Sequence, residues 1–252
     1  MIKVAIVNYL NTAPFMRGLR LSGLLASDRF QIDPYYPAEC ARALLEGRAD
    51  IGLVPVAILA KLKEYYIIGD TCIGAVEPVR SVLLVSDVPV EQIEKVYLDY
   101  QSRTSVALCR VLMKRFWKHQ PEFMDAPENY LDHVGGKTAA VVIGDRAFGE
   151  SMKHPFVYDL ATCWQQFTGL PFVFALWISL KPISPSHEVE LNNALNMGIS
   201  QAEEAAEEVL DQYPDYFEVK NYLTHSISYT FDSSKQKGLE TFLQMLSNLD
   251  DL

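Results

Sequence analysis

The chain opens on a short apolar run, Val4-Ala-Ile-Val7, with no alternation, the pattern of a strand covered on both faces. It turns polar at Asn8, Tyr9, Asn11 and Thr12, and Pro14 stands where a helix would begin. Asn11 or Thr12 is placed to cap that helix. A strand that brings polar side chains and a helix start to its carboxyl end is the usual way an open α/β sheet forms a ligand site. The same pattern also serves an ordinary strand-to-helix turn, in which Asn and Thr bond only the backbone.

Residues 15–25 predict a helix interrupted at Gly18, and residues 31–36 alternate as a strand. Pro37 opens a helix over 38–46 that Gly47 closes. Asp50-Ile-Gly-Leu-Val-Pro55 predicts the next strand. This β-α-β-α-β order with short connections predicts a parallel sheet flanked by helices. A short helix over 57–63 follows, then a strand at 71–75 and a strongly apolar strand at 81–86. After Asp87-Val-Pro89 and a helical turn at 90–95, a strand at 95–99 begins a second unit. It leads through Tyr100-Gln-Ser-Arg-Thr-Ser105 into an amphipathic helix carrying Val106, Leu108, Cys109, Val111, Leu112 and Phe116. A loop-rich stretch over 121–136 precedes a buried strand at 138–144, ending in Asp145-Arg-Ala147. A helix over 158–168 closes at Gly169 and Pro171, and 172–179 is an aromatic and aliphatic strand.

From Ser186 onward the pattern is helical, with Ser186 as N-cap and Glu188 and Glu190 in the first turn. Breaks fall at Pro214, near Asn221 and over 226–230, and the last helix covers 234–246. Two α/β units with a helical tail predict two lobes, each a mixed, mostly parallel sheet flanked by helices. Residues 1–86 with 180–252 form one lobe and 87–179 the other. Linkers at 86–89 and 179–183 would frame a hinged ligand cleft, with the tail packed back on the first lobe.

Composition narrows the partners. With 49% hydrophobic and 21% charged residues, a chain of 252 residues buries a sizeable core. A net charge of −10 argues against nucleic acid or an anionic membrane as partner, but not against a small anionic substrate. No stretch approaches the ~20 apolar residues of a membrane span, and no secretory signal is read at the start. The expected location is cytoplasmic. Cys40, Cys72, Cys109 and Cys163 lie far apart and read as buried small hydrophobes. The five histidines lack metal-ligand spacing, and no glycine-rich nucleotide motif occurs, so neither a metal nor a nucleotide is expected. Nothing in the sequence fixes an oligomeric state.

Six segments, in order, carry a resemblance. They are Tyr9-Leu-Asn-Thr-Ala-Pro14, Asp50-Ile-Gly-Leu-Val-Pro-Val56, Val79-Arg-Ser-Val-Leu-Leu-Val-Ser86 and Leu98-Asp-Tyr-Gln-Ser-Arg-Thr-Ser105. Val142-Ile-Gly-Asp-Arg-Ala147 and Thr168-Gly-Leu-Pro-Phe-Val-Phe-Ala-Leu-Trp177 complete the set. Together they resemble the MqnA family, the chorismate dehydratases of the futalosine route to menaquinone, over about residues 4 to 180. The resemblance implies a two-lobed, type II periplasmic-binding-protein-like fold used as a cytoplasmic enzyme without a cofactor. It implies chorismate as substrate, and 3-[(1-carboxyvinyl)oxy]benzoate and water as products. Two alternatives stand beside it. One is the sister MqnD-type 1,4-dihydroxy-6-naphthoate synthase, which the Tyr-Leu-Asn-Thr start fits less well. The other is a non-catalytic solute-binding protein of the same fold.

On this reading Asn11 and Ser81, both at strand ends facing the cleft, are the candidate catalytic residues. Asn11 can donate to or accept from the departing hydroxyl or the ring carboxylate, and Ser81 can donate to an oxyanion. Otherwise both only satisfy backbone groups. Ser102, Thr104 and Ser105 at a helix start are candidate carboxylate contacts, or merely caps. Tyr9, Thr12 and Gly144 are further candidates for substrate binding. Arg80 is a second choice there, because alternation points it away from whatever Ser81 faces. Asp145 is either an acid or base at the site or the N-cap of the next helix, and its position favours the cap. Trp164, Trp177, Phe172 and Phe174 line the pocket or, as such aromatics do more often, fill the core.

Overall fold

The computed structural model describes residues 1–213 and 215–249. The apolar runs become strands: β1 (Ile2–Val7), β2 (Phe30–Tyr35), β3 (Ile51–Pro55), β4 (Tyr66–Ala75), β5 (Val82–Ser86) and β6 (Lys95–Leu98). They continue as β7 (Glu122–Asp125), β8 (Thr138–Ile143), β9 (Phe156–Asp159), β10 (Phe172–Ser179) and β11 (Ser228–Thr230). The helices are α1 (Ala13–Leu21), α2 (Pro37–Leu45), α3 (Thr104–Leu112), α4 (Arg146–Glu150) and α5 (Leu160–Thr168). In the tail come α6 (Pro185–Ile199), α7 (Ala202–Glu207), α8 (Tyr216–Asn221) and α9 (Ser233–Ser247).

Two sheets form, in the orders β11-β4-β10-β3-β1-β2 and β7-β6-β8-β5-β9. Every residue of β5 and β10 is buried, as expected of continuous apolar runs covered on both faces. The expectation of mostly parallel sheets is corrected. Parallel pairing is confined to β2-β1-β3 and β7-β6-β8, whereas β10, β4, β11, β5 and β9 pair antiparallel. An apolar run says that a strand is buried, not which way it runs.

For the same reason the division of the chain shifts. β5 joins the second sheet and β10 the first, so the chain crosses between sheets at 76–81 and near 169–171. The linkers read at 86–89 and 179–183 lie one strand too late in both cases.

The tail is not wholly helical. β11 pairs with β4 and extends the edge of the first sheet. α6 and α9 pack back on that sheet, as expected, with Leu239, Phe242 and Leu246 of α9 buried. The N-cap position of α6 is Ser184 rather than Ser186, because Pro185 occupies the favoured first position. Pro214 lies outside the described residues. Gly18 does not interrupt α1. It is there because α1 and α6 touch backbone to backbone: a Cβ on Gly18 or Gly198 would strike the facing helix. The helix ends instead at Leu21, before Gly23 turns the chain with φ +77°.

Candidate functional site

Both sheets send strand ends to one cleft, whose empty space, counted together with the solvent it opens to, is about 560 Å³. From the first sheet come Val7, Tyr9 and Asn11 beyond β1, Pro55 ending β3, and Phe174 and Ala175 in β10. From the second come Ser81 and Val82 at the start of β5, Ser102, Thr104 and Ser105 at the start of α3, and Ile143 and Gly144 ending β8. Among the described residues that line it there is no Asp, Glu, His, Lys or Arg. Its walls are therefore apolar with a few neutral hydrogen-bonding groups, the usual make-up of a small-molecule site.

Asn11 sits on a 3₁₀ turn, Leu10–Thr12, directly after β1. Its main-chain carbonyl accepts from the Tyr229 hydroxyl at 3.0 Å, which anchors the turn to the tail. Its side-chain Oδ1 is buried without a hydrogen-bond partner. A buried polar atom left in this state costs roughly 1–3 kcal/mol, so its persistence calls for an explanation.

Ser81 is 3% exposed, and its Oγ accepts from the Tyr222 hydroxyl at 2.8 Å. The Gly144 N–H donates to the Ser81 carbonyl at 2.9 Å and fixes the approach of the β8 end. Tyr222 begins a π turn, Tyr222–Ser226, that continues α8, and the Phe148 ring packs edge-on against it with centroids 5.1 Å apart. Burial pushes the Tyr222 hydroxyl well above the usual tyrosine range, opposed by its contacts with Ser81 and the Asn11 side chain. It stays protonated and donates. Nothing in the sequence pairs Tyr222 with Ser81: the two stand 141 positions apart.

At the start of α3 one hydroxyl, Ser102, accepts from a helix N–H, and another, Thr104, accepts from the other lobe. The Ser105 N–H donates to Ser102 Oγ at 3.0 Å, and the Ala57 N–H, from the other lobe, donates to Thr104 Oγ1 at 3.2 Å. Capping does not remove them from the cavity, because a hydroxyl that accepts from the backbone keeps its own proton to donate. Arg103 is exposed and does not line this cavity.

The whole chain decides its kinship. Residues 2–248 match the family model described as menaquinone biosynthesis. The chain belongs to the menaquinone biosynthesis family. It is 27% identical over 262 residues to the chorismate dehydratase of Thermus thermophilus, covering 94% of this chain and 92% of that one. In three dimensions it is similar to a protein of Archaeoglobus fulgidus, with TM-score 0.73 and 16% identity over 97% of this chain and 96% of the other. It is also similar to the periplasmic aliphatic sulphonate-binding protein of Escherichia coli, with TM-score 0.59 and 15% identity over 97% and 85%. These likenesses show a periplasmic-binding-protein-like fold.

Within this member of the menaquinone biosynthesis family, three residues expected at the site are placed elsewhere. The Thr12 hydroxyl donates to the carbonyls of Val7 at 2.7 Å and Tyr9 at 2.8 Å, so it braces the turn and does not line the cavity. Nor does Thr12 cap α1 through its side chain. Arg80 has φ +64° and lies exposed, its N–H donating to Asp159 and its guanidinium 3.8 Å from Glu218. The left-handed residue turns the chain just before β5, which sends Ser81 inward and Arg80 out. Asp145 stands at the N-cap position of α4 but makes no capping bond. Its carboxylate accepts from the Tyr213 hydroxyl and the Leu10 N–H, and burial raises its pKa. It joins the lobes behind the cavity.

Trp164, Trp177 and Phe172 are core, and Phe174 alone of the four aromatics lines the cavity. The four thiols are free and buried, and burial pushes each up to about 12. Among the described residues no helix is long and apolar enough to cross a membrane.

Proposed function

We propose that this chain is a chorismate dehydratase, a hydro-lyase that works in the cytoplasm without a cofactor. One observation carries the reading. A buried amide oxygen without a partner, Asn11 Oδ1, lines the same cavity as a serine hydroxyl backed by a buried tyrosine. A substrate hydroxyl offers the missing partner.

Loss of the C3 proton and the C4 hydroxyl makes the chorismate ring aromatic. The aromatic product is a large thermodynamic sink, so the site has mainly to orient the substrate and assist the leaving group. Asn11 holds the C4 hydroxyl. Ser81 donates its proton toward the departing oxygen while its own Oγ is held by Tyr222, a relay that stabilises negative charge as the C–O bond breaks. The C3–H electron pair becomes the new ring double bond, the departing hydroxide takes the Ser81 proton and leaves as water, and Ser81 regains a proton as the C3 proton held by the substrate carboxylate is released. Among the described lining residues there is no carboxylate or imidazole to act as a base at the ring. The enolpyruvyl carboxylate of the substrate takes the C3 proton. The two carboxylates meet hydroxyl donors at Thr104 and Ser105 and the N-terminus of the nine-residue helix α3. No acidic side chain is among the described residues that line the wall.

The likeness to a sulphonate-binding protein supports a second reading, capture of an anionic solute without turnover. Incubating the purified protein with chorismate, without metal or nucleotide, separates the two. An aromatic enol ether forms if the dehydratase reading is right. Tight binding without turnover favours the solute binder, and absence of binding sinks both. A chorismate analogue lacking the enolpyruvyl carboxylate, if dehydrated at full rate, would rule out the substrate as its own base.

A further inference from the structure

Behind the cavity lies a buried polar chain that the proposed chemistry does not use. Asp99, at the end of β6, has a fully buried side chain. It accepts from the Tyr130 hydroxyl at 2.8 Å, from Arg146 Nη2 at 2.6 Å and from the Gln101 N–H at 2.9 Å. Without the guanidinium this carboxylate would be an uncompensated buried charge, which is strongly destabilising. The same Nη2 lies 3.3 Å from Gln101 Oε1 and so turns the amide oxygen of that side chain toward it. Gln101 Oε1 in turn accepts from the Tyr9 hydroxyl at 2.5 Å.

Tyr9 comes from the first lobe, whereas Gln101, Arg146 and Gly144 come from the second. Its ring fills the space beside Gly144, where a Cβ would sit 3.4 Å from ring carbons Cε1 and Cζ. Gly144 also has φ +65°, a conformation that disfavours any other residue. A phenol of one lobe is thus seated in a socket on the other, formed by Gly144, Gln101 and, one step back, Arg146. Tyr9 lines the cavity, so its seating sets one wall. Burial and the nearby Asp99 charge keep its hydroxyl a donor.

We propose that Gln101 and Arg146 are positioning residues that seat Tyr9 across the cleft, so that the cavity wall is completed when the lobes close. Arg146 acts through Gln101 and does not touch the substrate. The kinetic readout rests on the dehydratase reading; a readout without substrate is given below.

Gln101→Met removes the acceptor at similar size. It should raise KM for chorismate about tenfold while kcat stays within about threefold, the scale of one hydrogen bond lost between bodies that meet on binding. Gln101→Glu, which keeps an acceptor beside Arg146, should restore KM. Tyr9→Phe should raise KM similarly, and Tyr9→Phe/Gln101→Met should be no worse than the worse single variant. Arg146→Met exposes Asp99 to the loss of its counter-charge, so it is compared with Asp99→Asn/Arg146→Met, in which both charges are gone. KM effects of Tyr9→Phe and Gln101→Met that simply multiply, or a Gln101→Met loss confined to kcat, would overturn the proposal. If wild-type protein converts no chorismate, the functional reading fails. The latch is then judged on urea unfolding of wild type, the two single variants and the double variant. Non-additive midpoints support it and strictly additive ones overturn it.

Discussion

The two walls of the cavity are both polar turns that follow a strand and start a helix, yet they offer a ligand opposite things. On the first-lobe wall, after β1, the Thr12 hydroxyl is engaged twice by its own turn, and Asn11 presents a buried oxygen with no partner. On the second-lobe wall, after β6, the hydroxyls of Ser102 and Thr104 accept backbone N–H groups and keep their protons free. One wall therefore offers an acceptor and the other a row of donors. A ligand that satisfies both carries a hydroxyl at one end and a carboxylate at the other, as the proposed substrate does with its C4 hydroxyl para to its ring carboxylate. The lesson is that residue types alone do not set a turn's role. Asn11-Thr12 and Ser102-Arg-Thr-Ser105 read alike until the backbone partners of each side chain are known.

The comparison breaks most sharply at Asn11. If its oxygen serves only the ligand, Asn11→Ala should cut turnover at least ~100-fold, while the melting temperature falls by no more than the loss of the Asn11 side-chain contact with Tyr222 allows. Ser81→Ala should cut turnover as much; wild-type rates in both variants would remove them from the site. Tyr222→Phe tests the relay behind Ser81. A loss of ~10-fold to 100-fold in kcat is expected, and steady-state rates of the wild type should show no fall with rising pH up to the usual tyrosine range, because the hydroxyl titrates above it.

Thr104→Val sharpens the donor side. It removes both the free proton and the acceptor of the Ala57 N–H, so stability should fall by about 1–3 kcal/mol and KM should rise together. Denaturant melts and initial rates on the same preparations check this; a KM effect without loss of stability would mean that the Ala57 bond contributes nothing. The smallest effect belongs to Arg80→Ala. With its side chain on the surface, kcat/KM should move less than about twofold, and a larger change would place the guanidinium back in the binding site.

The positions of these walls were legible in the sequence because each is local. A short strand followed by a polar turn and a helix start marks a strand end, and Val4–Pro14 and 95–106 both show it. Burial of the four cysteines follows from composition in the same way. Apolar runs at 81–86 and 172–179 likewise announced buried strands.

What the sequence by itself determined, then, is which segments are buried and where the polar turns fall, since both depend on neighbours a few residues away. Only the tertiary structure decided which sheet β5 and β10 enter, that β11 extends the first sheet, and that Tyr222 meets Ser81 across 141 positions. It also decided that Asp145 braces the lobes and caps no helix. Each of these is a pairing between distant parts of the chain, set by packing and by the need of every buried polar group for a partner. One such group, Asn11 Oδ1, has none among the described residues.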